Sequence, residues 1–93
     1  MIKTFGSKET EKLFQRETSR SFPPEIIRKA RLKLEILDAA EKLDDLKVPP
    51  GNRLEALKGD RVGQHSIRVN DQFRLCFVWT AEGPKDVALV DYH

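Results

Sequence analysis

The chain has 93 residues, a net charge of +2, 39% hydrophobic and 34% charged residues, and one cysteine, Cys76. A chain of this length buries roughly 60–65% of the surface its unfolded form exposes, which allows one modest core and excludes a second. The lone cysteine excludes an internal disulfide, no apolar run is long enough for a membrane span, and the opening MIKTFGSKETEK lacks the apolar stretch of a signal peptide, so a single domain over residues 1–93, in the cytoplasm, is expected.

Ile2–Phe5 reads as a short strand. Ser7 is placed to cap a helix running to about Glu17, with Leu13 and Phe14 on its apolar side. Pro23 and Pro24 break the chain and suit the start of the next helix. There Ile27, Ala30, Leu34, Leu37, Ala40 and Leu43 recur at steps of three and four, which predicts one long helix from about Pro24 to Leu46. VPPGN ends it. Beyond that point the period changes to two. Ile67 and Val69, then Phe73, Leu75, Phe77 and Trp79, alternate with Ser66, Arg68, Arg74, Cys76 and Val78, which predicts an antiparallel hairpin turning at Asn70-Asp71. Glu82-Gly83-Pro84 makes the next turn, and Asp86 to Tyr92 alternates less cleanly as a last strand. The order is β-α-α followed by three or four antiparallel strands: an α+β fold with its helices packed on one face of the sheet.

Charge is distributed in blocks. Arg16 to Lys33 holds six cations against two anions, Glu35 to Asp45 five anions against one cation, and Arg53 to Arg74 five cations against three anions. Patches of this kind matter more than the total for binding a polyanion. Arg28, Lys29 and Arg31 crowd the N-terminal half of the long helix, against the preference of its macrodipole, which suits contact with RNA. If Phe73, Leu75 and Phe77 point at the helices, Arg74 and Cys76 point away, and Arg68 shares that face. LEALKGDR brings Glu55, Lys58 and Arg61 toward the same side. A face of arginines with a lysine and a carboxylate could hold a phosphodiester. Cleaving RNA then needs a base for the 2′-OH, cations for the charge building on phosphate, and an acid for the departing 5′-oxygen. His65 reads as a structural or surface residue, and Cys76 as a small filler.

Four segments in order, MIKTF, LKGDRVGQHSIRV, NDQFRLCF and the terminal VDYH, resemble the HigB toxins of the RelE/ParE superfamily along the whole chain, most strongly from Arg53 onward. The resemblance implies a RelE-like, microbial-RNase-like fold. It implies a ribosome-dependent endoribonuclease that cuts mRNA, with no metal and no cofactor. A HigA-type antitoxin would neutralise it, and operator DNA would be reached only through the antitoxin complex. Lys58 and Arg74 match positions that handle the phosphate, and Asp91, Tyr92 and His93 match the terminal catalytic triplet. One position departs: many HigB toxins have a histidine in an LHPLKGD pattern, and this chain has Glu55 in LEALKGD. An ionised glutamate can be a base but cannot replace a protonated imidazole as a cationic acid, so a slower nuclease with a different pH profile is expected. If the chain ends at His93, the attached α-carboxylate favours the charged imidazole. Two other readings remain open: a ParE-like inhibitor of DNA gyrase without nuclease activity, and a weakened toxin kept as antitoxin partner and co-repressor.

Overall fold

Leu75 and Phe77 alternate with Arg74 along a strand. The computed structural model, which describes residues 1–91, sets that strand inside a four-stranded antiparallel sheet of order β1-β2-β3-β4. The strands are β1 (Glu55–Ala56), β2 (His65–Arg68), β3 (Phe73–Thr80) and β4 (Gly83–Asp91). Two helices, α1 (Lys8–Phe14) and α2 (Pro24–Ala39), lie on one face. Between them and the sheet sit Leu13, Ala30, Leu34, Leu37, Ile67, Leu75, Phe77 and Val87, all fully buried. Removing each of these side chains except the small Ala30 from water stabilises the fold by about 1.5–3 kcal/mol.

The predicted N-terminal strand lies parallel beside β4 and is pinned there. Phe5 bridges Val87, and the Lys3 and Gly6 amides donate to Pro84 and Val87 carbonyls, each at 2.8 Å. Just past this segment, the buried Leu89 amide donates to Thr10 Oγ1 at 2.9 Å. Thr10 Oγ1 also meets Ser7 Oγ at 2.7 Å. Ser7 in turn caps α1, accepting from the Thr10 amide at 3.2 Å. One helix start therefore closes the free edge of β4 with a side chain where the backbone runs out.

Both helices are shorter than their periodicity predicts, for identifiable reasons. α1 stops before Glu17 because Arg16 turns left-handed (φ 61°), and the Arg16 and Glu17 amides donate back to the Leu13 and Lys12 carbonyls at 3.2 and 2.9 Å. That reverse pair closes a helix end, usually around glycine. α2 stops at Ala39 rather than Leu46. Ala40 is extended, and the Asp45 carboxylate accepts from the Glu41 and Lys42 amides at 2.9 and 3.2 Å, starting a separate 3-10 turn over Leu43–Lys47. Those two amides, Glu41's first, hold the Asp45 carboxyl below its ordinary pKa. The helical spacing ran on because Leu46 still fills the core from the turn.

The third hairpin turns at Ala81-Glu82, one residue earlier than expected, and Gly83 and Pro84 open β4. Gly83 has φ +128°, and a Cβ there would lie 2.3 Å from the Met1 carbonyl oxygen. The unclean alternation of this strand is a bulge. Cys76 pairs with Ala88 and Val78 with Lys85, so one extra residue, at Asp86 (φ 54°), shifts the phase. Val87 and Leu89 are thereby returned to the core.

Thr10→Val keeps the shape of the side chain and leaves the buried Leu89 amide without its acceptor. The expected cost is about 1–3 kcal/mol, seen as a lower urea midpoint at unchanged m-value; an unchanged midpoint would show that this edge contact is dispensable.

Candidate functional site

The register of the sheet sorts the expected site residues by face. Glu55 pairs with Ser66, Ser66 with Cys76 and Cys76 with Ala88; Arg68 pairs with Arg74, and Arg74 with Val90. Directly paired residues share a face, and successive residues alternate. The face away from the helices therefore carries Glu55, Ser66, Arg68, Arg74 and Cys76. Arg68, Arg74 and Cys76 are on the face the alternation predicts, but that face is not open throughout: Cys76 is only 1% exposed and Ser66 is fully buried.

Arg74 is held in a fixed pose. Its Nε donates to Ser66 Oγ at 2.7 Å and its Nη2 to the Arg53 carbonyl at 2.6 Å, with a longer approach to the Ser66 carbonyl at 3.5 Å. Arg68, directly across β2, is bridged to Asp71. Two guanidinium groups on facing positions repel, so the arrangement favours an anion above them. Lys33 from α2 approaches the same flank. Burial, then the Arg68 charge, pushes its pKa down, and its Nζ donates to Asn52 Oδ1.

The loop after β1 completes the margin. The Leu57 amide donates to the Gln64 carbonyl at 2.9 Å, and a short 3-10 turn spans Gly59–Arg61 between them. Lys58 is exposed where this loop begins, beside an open cavity of about 410 Å³ lined by Glu55, Ala56, Leu57 and Lys58. Arg61 is half-buried and donates to Gln64 Oε1 at 3.3 Å. Burial pushes the Cys76 thiol pKa up, and the charges of Arg61 and Arg74 partly oppose it. Those two cations thus lie close enough to one point on the sheet to act on it together.

The remaining candidates fall elsewhere. Asp91 pairs with Phe73, not Arg74, so it leaves β4 on the helix side of the sheet, where Gln72 Nε2 donates to it at 3.1 Å. Tyr92 and His93 lie outside the described residues. His65 faces the core side and stacks on Phe77, ring centroids 6.3 Å apart. Arg28 and Lys29 are exposed on the outer side of α2, away from Arg74. Arg31 is not an open surface cation. Its Nε and Nη2 donate to the Leu13 and Glu17 carbonyls at 3.0 and 3.2 Å, tying α2 to the end of α1. Among the described residues, no group of three or more His, Cys, Asp or Glu side chains could hold a metal ion, and no helix is long and apolar enough to cross a membrane.

Residues 3–93 match the HigB-like toxin family, described as the RelE-like toxin of the type II toxin-antitoxin system HigB. Toxin HigB-1 of Vibrio cholerae is 45% identical over 80 residues, covering 85% of this chain and 84% of that protein. An uncharacterized protein of Haemophilus influenzae is 36% identical over 61 residues, 66% of this chain and 60% of that one. Among solved structures, the YoeB-YefM complex from Staphylococcus aureus contains a chain with the same fold, at TM-score 0.62 and 23% identity, covering 100% of this chain and 95% of that one.

A raised thiol pKa means that folding favours protonated Cys76. Its contribution to stability is whole below the ordinary thiol range and is lost as pH rises through the raised folded value. At pH 8, alkylation of Cys76 by iodoacetamide is expected to be at least about a hundredfold slower in the native protein than in urea; equal rates would show the thiol to be open.

Proposed function

The chain belongs to the HigB-like toxins, RelE-like toxins of type II toxin-antitoxin systems, and from that premise we propose that it is a metal-independent endoribonuclease that cuts mRNA on the ribosome. A HigA-type antitoxin is the proposed partner that neutralises it, with operator DNA reached only through that complex. The observation that carries this reading is the fixed Arg74 guanidinium facing Arg68 on the open side of the sheet, with Glu55 and Lys58 at the margin.

In this reading the scissile phosphate lies over Arg74, with Arg68 and Arg61 along the strand on either side. Arg74 and Lys58 stabilise the charge that builds on the phosphate oxygens, in a site where such cations act without reorganising. Glu55, projecting from β1 onto this face, is a candidate base for the ribose 2′-OH. Tyr92 and His93 supply the remaining proton-transfer groups, a neutral phenol being more easily an acid than a base at its ordinary pKa of about 10. Asp91, held by Gln72, ends β4 on the helix side of the sheet. Arg28 and Lys29 lie on another side of the molecule, so they meet ribosomal RNA rather than the strand being cut.

Induced expression with 5′-end mapping of cellular mRNA should show cuts in register with codons. Arg74→Ala and His93→Ala should each lower cleavage by roughly 10²-fold or more. DNA damage with intact transcripts would replace this reading by gyrase inhibition, and intact transcripts without damage would leave a partner of the antitoxin alone. Arg28→Glu with Lys29→Glu should weaken ribosome co-sedimentation at unchanged thermal stability; undiminished co-sedimentation would remove α2 from the RNA contact.

A further inference from the structure

Arg74 reaches its pose by committing two of its guanidinium nitrogens, Nε and Nη2, to protein acceptors. Nε donates to Ser66 Oγ at 2.7 Å, and Nη2 donates to the Arg53 carbonyl at 2.6 Å. Ser66 is fully buried, in the strand next to Arg74's own, two residues from Arg68. Arg53 is a non-glycine residue in the left-handed region, φ 45° and ψ 58°, a conformation L-residues adopt at a cost. What holds it there is its neighbour. Asn52 is fully buried; its Nδ2 donates to the Leu46 and Val48 carbonyls at 3.1 and 3.2 Å, and its Oδ1 accepts from Lys33 Nζ. A buried amide thus anchors the loop, the loop turns left-handed at Arg53, and the Arg53 carbonyl meets Arg74.

We propose that Ser66 and the Arg53 carbonyl form a cradle that fixes the plane of the Arg74 guanidinium, and with it the direction from which the charge meets the substrate phosphate. Ser66 and Arg53 are positioning residues in this arrangement, acting through Arg74. The proposal rests on the reading of Arg74 as the residue that handles the phosphate, and it adds the reason Arg74 can do so without first being ordered. A flexible arginine would lose side-chain freedom on every turnover, and a lysine would present a point charge without a plane. A guanidinium already tethered at Nε and Nη2 meets the phosphate with its orientation settled, which lowers the barrier to the chemical step more than it strengthens binding.

The test combines kinetics with a measurement that does not depend on activity. With programmed ribosomes, Ser66→Ala should lower kcat for mRNA cleavage by roughly ten- to hundredfold, the range for one hydrogen bond to a charged group, and leave KM within about threefold. Ser66→Thr, which keeps the hydroxyl, should restore most of the rate. Added to Arg74→Ala, Ser66→Ala should cause little further loss, because its effect passes through the missing guanidinium. In parallel, the Arg74 Nε–H signal in an NMR spectrum should exchange with water slowly in the native protein and in Ser66→Thr, and at least about tenfold faster in Ser66→Ala. Losses that multiply in the double variant, or an Nε–H signal unchanged by Ser66→Ala, would overturn the cradle. Should Ser66→Ala fail to fold, Ser66→Cys, close in size with a weaker acceptor, is read by the same two measurements. A wild-type protein that leaves mRNA whole would sink the nuclease reading, while the Nε–H exchange still decides whether the tether exists.

Discussion

The pairing of β3 with β2 on one side and β4 on the other is the constraint from which the core and the candidate site both derive. A paired strand cannot rotate, so its odd and even positions are committed to opposite faces. Phe73, Leu75 and Phe77 are buried against α1 and α2. That burial obliges Arg74 to stand on the other face, beside Arg68 and above Ser66. A slip of one residue would put a guanidinium into the core, at a cost the fold could not bear. The hydrophobic face thus sets which side of the sheet the charges stand on, and local hydrogen bonds then set how they point.

The same argument explains why the edges are treated as they are. β4 would be an open strand with unpaired amides, a template for another chain. Residues 2–6 cover its first half, and Thr10 takes the buried Leu89 amide beyond. The opposite edge, β1, is only two residues long, Glu55–Ala56, and its continuation folds back as the loop that carries Lys58 and Arg61. The sheet is therefore sealed where it meets the helices and left short where the proposed RNA contact lies. Asp86 belongs to this design too. Its bulge corrects the phase of β4, so Val87 and Leu89 face the core after Pro84 has set the opposite count.

Most of the fold could be read from periodicity. The helical spacing of Ala30, Leu34 and Leu37 and the alternation from Phe73 to Phe77 mark elements that exist, on the faces expected of them. The misplaced boundaries have one kind of cause. Arg16 takes a conformation that usually calls for glycine, and Asp45 caps a turn from within what looks like a continuous helix; neither leaves a trace in an apolar pattern. The site was legible in part. Alternation placed Arg68 and Arg74 together, because that inference needs only register, and the LEALKGDR segment brought Glu55 to the same side. Cys76 was put on the right face and as a filler, but alternation does not show that the face is closed there. Asp91 was grouped with Arg74 on the resemblance of the terminal DYH alone, and only the register, which sets it opposite Phe73, shows it on the other face. Arg31 was counted as a surface cation because a sequence does not show that its partners are the carbonyls ending a neighbouring helix. Ser66 passed as an ordinary polar member of an alternating strand, and Asn52 as part of a loop. Their importance lies in what they hydrogen-bond, which no spacing encodes.

Several features that weaken a fold meet around Arg74. Facing like charges at Arg68 and Arg74 cost a few tenths of a kcal/mol to about 1 kcal/mol. A left-handed arginine at position 53 costs about 1–2 kcal/mol more. Ser66 is a buried hydroxyl where a small apolar residue would pack without needing a partner. Each has a separate local remedy, Asp71 for Arg68, Asn52 for Arg53 and Arg74 for Ser66, and the remedies interlock because Arg74 is hydrogen-bonded to both Ser66 and Arg53. Strain scattered over a surface would suggest nothing. Strain concentrated on one guanidinium, and relieved only by groups that fix how that guanidinium points, is what a fold keeps when the direction of a charge matters more than its cost.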